Sequence, residues 1–110
     1  MSSAEAAETR LIYCTTESRE EACRIGQLLV EEQRVACANI LPGMTAIYRW
    51  QGQLETSSEA VLILKTTVDQ VEALIPRIVE LHRYECPAIL VLPVETGHPA
   101  YLEWIRQAVP

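Results

Sequence analysis

Apolar positions along this chain change their period several times, and each change marks an element. Leu11-Ile12-Tyr13-Cys14 is a short apolar run ended by Thr15-Thr16, the pattern of a buried strand. Ser18 followed by Glu21 makes a capping box. Ala22, Ile25, Gly26 and Leu29 then fall at i, i+3, i+4 and i+7, one face of a helix that ends near Gln33 in a charged turn. Gly26 on that face points to close approach between helix and sheet, which offsets a helix cost of ~1 kcal/mol. Further on, Val71, Leu74, Ile75, Ile78 and His82 form a second helical stripe, capped by Thr67 with Gln70 or by Asp69 with Glu72. Pro76 inside it removes a backbone bond and predicts a kink. Ile89-Leu90-Val91-Leu92 reads as a strand that Pro93 confines to an edge or ends. Gly97-His98-Pro99 opens a last helix with proline in its first turn, its apolar side carried by Tyr101, Leu102, Ile105 and Val109.

Between the two long helices lies one hairpin too long for its domain. Its first arm runs from Ala36 to Trp50, a polar Gln51-Gly52-Gln53 turn follows, and the return arm passes through Glu59 to Thr66. At ~3.3 Å per residue the first arm reaches about 50 Å, whereas a compact chain of this length is only about 30 Å across. The ribbon must bend at Pro42-Gly43, or its tip must leave the domain. Met44, Ala46, Tyr48 and Trp50 share one parity and line one face near the tip. Val61-Leu62-Ile63-Leu64 is apolar on both parities, so the return strand is covered on both faces. A two-stranded ribbon is marginal in water and leaves strand edges unpaired; a second copy of the chain is the simplest partner.

The order strand, helix, strand, strand, helix, strand, short helix defines an α+β fold of ferredoxin-like, split βαβ type. Two helices cover one face of a four-stranded antiparallel sheet and leave the other bare. Residues 1–9 are small, polar and acidic and read as a loosely ordered tail; residues 10–110 form one domain. Of the 110 residues 49% are hydrophobic, yet no run approaches the length of a bilayer span. The net charge of −6 argues against nucleic acid, which needs a clustered cationic face. No secretory signal is legible, and the expected compartment is the cytoplasm.

Cys14, Cys23, Cys37 and Cys86 contain no Cys-x-x-Cys pair, which excludes a zinc ribbon or a thioredoxin-like motif and, in the cytosol, a disulfide framework. Each reads first as a small buried hydrophobe. Cys14 and His82 make the best soft-ligand pair, suited to copper or zinc rather than magnesium. A histidine on an apolar helical stripe, as His82 is, is more often a packed, hydrogen-bonded residue than a ligand. Glu59 and Lys65 share parity and either pair across an interface or stay solvated; Asn39 satisfies backbone groups at a strand start. No phosphate loop, Gly-x-Gly-x-x-Gly or serine-histidine-acid spacing is present, and Cys14-Thr15-Thr16-Glu17-Ser18 lacks the arginine and phosphate cradle of an acylphosphatase. The expectation is a non-enzyme.

Ala36-Cys37-Ala38-Asn39-Ile40, Pro42-Gly43, Tyr48-x-Trp50-x-Gly52, Glu59, Lys65-Thr66, His82-x-Tyr84-x-x-Pro87 and Tyr101-Leu102-x-Trp104-Ile105 occur in order. Together they resemble the CutA divalent-cation tolerance family from Leu11 to about Arg106. The resemblance implies a cytoplasmic homotrimer with paired hairpins, related in architecture to the PII signalling proteins. Its role would lie in tolerance of copper, with zinc or another divalent cation as the alternative. Cys14 and His82 match the family's proposed metal ligands. Arg83 and Ala88 stand where the family usually has proline and glutamate, so a carboxylate is missing from that segment. The second reading is a PII-like scaffold for small anionic ligands, although Arg49 is the main basic residue near the tip.

Overall fold

The computed structural model describes residues 7–110. The elements are β1 (Thr9–Thr16), α1 (Arg19–Glu31), β2 (Cys37–Trp50), β3 (Gln53–Thr67), α2 (Val68–Leu81), β4 (Ile89–Pro93) and α3 (Pro99–Ala108). The sheet order is β2-β3-β1-β4 with every pair antiparallel, the split βαβ arrangement. Most of the expected 1–9 tail lies outside the described residues. Thr9, its last residue, is instead the first of β1, buried and paired with Thr67.

The core lies between the sheet and the first two helices. Ile12 and Cys14 of β1, Leu62 and Leu64 of β3, Ala22, Ile25 and Leu29 of α1, and Leu74 and Ile78 of α2 are wholly buried there. The α1 face is the one its periodicity predicts. A Cβ on Gly26 would meet the Ala38 Cβ at 2.9 Å, so only glycine lets α1 sit this close to β2. The α2 cap differs from expectation: Thr67 holds the N-cap position without a side-chain bond, and the Val68 amide donates to the Glu8 carbonyl at 2.7 Å. Pro76 does not end α2. It is exposed, so the carbonyl it strips of an intrahelical donor belongs on the solvent side.

The other sheet face is not entirely bare. Helix α3 lies across β3 and β1, burying Ile105 and Val109, while Lys65 donates to the Tyr101 hydroxyl at 3.1 Å. The rest of that face exposes Leu41, Leu90 and Leu92.

The hairpin is as long as its sequence demands. The molecule measures 53 × 25 × 23 Å, with a radius of gyration of 15.0 Å against about 13 Å for a compact chain of this size. Register shifts between Leu41 and Met44, where Gly43 takes φ +74°, so the expected bend is a bulge at Pro42-Gly43. The turn is tighter than expected. Gln51 and Gly52 both have positive φ, and Gln53 pairs with Trp50, as a two-residue primed turn requires.

Outside the core, one charged cluster joins α2 to the end of α1. Arg77 grips both Glu32 oxygens, at 3.1 and 2.6 Å, and Arg34 Nε donates to the same carboxylate at 2.8 Å. These donors pull the Glu32 pKa down to about 2. A depressed carboxylate adds stability above its unfolded pKa and loses it as pH falls toward the folded value. The thermal midpoint of the native chain should therefore exceed that of Glu32→Gln at pH 7, less so in high salt. The gap should close as pH falls from about 4.5 toward 2; a gap independent of pH would show that the charge contributes nothing.

Candidate functional site

Two neighbouring places concentrate polar chemistry. The first is a buried junction where β1, α1 and the end of α2 meet. Ser18 caps α1 by accepting from the Glu21 amide at 3.1 Å. The Glu21 carboxylate does not return to Ser18 as in a regular capping box. It accepts from the Glu17 amide at 3.1 Å and from the Arg83 amide at 2.8 Å, tying the start of α1 to the segment after α2. His82, expected on the helical stripe, is the C-cap of α2, with its side chain completely buried.

The ring's two nitrogens are both used. Nε2 lies 2.7 Å from the Thr15 carbonyl, which can only accept, so Nε2 carries the proton. Nδ1 is 3.0 Å from the Tyr84 amide and accepts from it. The imidazole is thus neutral, with its lone pair occupied, and the Glu21 carboxylate stands 3.8 Å from Nδ1. Cys14 Sγ donates at 3.6 Å to that same Thr15 oxygen. Burial, reinforced by the negative charge of Glu21, pushes the Cys14 pKa up to about 12, so it is a thiol at neutral pH.

The sequence-predicted pair is brought together, then, but not as ligands. A metal needs a thiolate and a free imidazole lone pair, and here both groups are committed to a carbonyl and an amide. As arranged, Cys14 and His82 do not fit a metal ion. Among the described residues, no group of three or more His, Cys, Asp or Glu is placed to hold one.

The second place is a groove of 820 Å³ on the sheet face opposite α1 and α2, bounded by the bent hairpin and the segment before β4. Tyr13, Tyr48, Trp50 and Tyr84 supply aromatic surface; Glu59 and Glu85 supply carboxylates and Cys86 a thiol. Ala88 also lines it, so the carboxylate missing from this chain would have stood at this groove. Tyr84 reaches in from the junction, its hydroxyl donating to Glu59 Oε2 at 3.1 Å. Burial first, then that bond and the charges of Glu59, Glu17 and Glu21, push the Tyr84 pKa up to about 12. Within the chain Glu59 and Lys65 do not bond each other: Glu59 accepts from Tyr84 and Lys65 lies against Tyr101. Asn39 is exposed, and its side chain accepts only a weak contact from the Cys37 thiol at 3.8 Å.

Glu21 and Tyr84 were not singled out from sequence as site residues. Glu21 was legible in principle: it precedes Ile25 and Leu29 at i+4 and i+8, a carboxylate on the buried stripe. Tyr84 carries no such signal, because its role depends on where the loop after α2 lands.

A split βαβ domain with an overgrown central hairpin and a paired cysteine–histidine junction is a narrow class. The CutA1 divalent ion tolerance protein family matches residues 10–108. The divalent-cation tolerance protein CutA of Thermus thermophilus is 42% identical over 97 residues, covering 88% of this chain and 94% of its own. The chloroplastic CutA of Arabidopsis thaliana is 34% identical, and the chain spans 54% of its length. Among solved structures, CutA from Xylella fastidiosa superposes with a TM-score of 0.91 at 38% identity, covering 94% of this chain and 100% of that one. CutA1 from Oryza sativa gives 0.92 at 30% identity, covering 96% of each chain. The chain belongs to the CutA1 divalent ion tolerance protein family.

The junction makes a prediction about stability. His82→Ala strands the Thr15 carbonyl and the Tyr84 amide in a buried space and opens a cavity, an expected loss of about 2–4 kcal/mol. Urea unfolding measures it, and a variant as stable as the native chain would refute the structural role.

Proposed function

We propose that this chain acts in tolerance of copper and other divalent cations, as a cytoplasmic homotrimer that contacts the ion directly. The family match over residues 10–108 carries the reading. Assembly is supported by the two open sheet edges, β2 and β4, and by exposed apolar residues on both faces of the hairpin tip, Ile47 and Leu54 opposite Trp50. The cytoplasm is supported by four free cysteines, one of them exposed, which suit a reducing compartment. Relatives differ on this point, one from Archaeoglobus fulgidus being described as periplasmic. No helix among the described residues is long and apolar enough to cross a membrane.

Within this reading copper is the cargo, and Cys14 and His82 become ligands only in a rearranged junction. The thiol must first surrender a proton held with a pKa of about 12, and the imidazole must release the Tyr84 amide. The ready contacts are Cys86, exposed at the groove beside Glu85, and Cys37, with water or another subunit completing the coordination. The PII-like alternative is disfavoured by the groove itself, which carries carboxylates and no basic group for an anion.

Copper binding measured against a competing chelator from pH 6 to 9 separates the two ligand sets. Binding through the Cys14 thiolate should strengthen about tenfold per pH unit and vanish in Cys14→Ala. Binding at the accessible thiols should survive Cys14→Ala and fall in Cys86→Ala or Cys37→Ala, which is the expected result. Absence of copper binding by the native chain would overturn direct contact, and a copper-sensitive strain not rescued by this chain would overturn the tolerance role.

A further inference from the structure

We draw no further inference here: the strongest candidate, the aromatic and acidic groove between the bent hairpin and the Tyr84–Ala88 segment, lies on the surface assigned to contact between copies of the chain, and nothing in the structure shows what covers it.

Discussion

A ribbon that outruns the helices meant to cover it governs this molecule. Helices α1 and α2 shield the sheet only as far as the register shift between Leu41 and Met44. Past that point β2 and β3 continue to the Gln51-Gly52 turn with little behind them. Two-stranded ribbons do not hold apolar side chains in water without a cover, yet Ile47 and Leu54 are exposed by 69% and 68%. The bulge also redirects the ribbon so that Tyr48, Trp50 and Glu59 share a groove with the segment after α2. Shape, exposed apolar surface and groove all follow from one excess of strand length.

The junction beneath the groove works in the opposite sense. Cys14, Glu21 and His82 attract attention as chemistry, but each of their polar atoms already has work to do: a carbonyl for the thiol, two amides for the carboxylate, one carbonyl and one amide for the imidazole. A buried polar cluster this well satisfied fixes a structure, because breaking any one bond leaves an unpaired group away from water. Its output reaches the groove through Tyr84, whose amide belongs to the junction and whose hydroxyl belongs to Glu59. The residues that define the junction therefore also set the groove's wall.

Much of the fold was legible in the sequence because it rests on local physics. The α1 stripe with Gly26 against the sheet, the Pro42-Gly43 bend and the Pro99 helix start follow from periodicity, backbone sterics and missing donors. Failures came where distant segments decide. Thr9 belongs to β1 because Thr67 waits across the sheet, and Thr67 holds the α2 N-cap without the side-chain bond expected of it. The nearness of Cys14 and His82 could be anticipated, but not their bonding, since the Tyr84 amide and the Thr15 carbonyl carry no sequence signature. Glu59 and Lys65 each bond a tyrosine from another part of the chain, contacts that their shared strand parity does not encode.

The central claim is that the uncovered ribbon is completed by further copies of the same chain, and solution mass tests it most directly. Light scattering coupled to size exclusion should give three times the 12.4 kDa chain mass for the native protein. A variant with Ile47→Lys and Leu54→Lys should give a smaller, still folded species. A native protein that runs as a stable monomer, with its tip apolar residues open to water, would contradict the account.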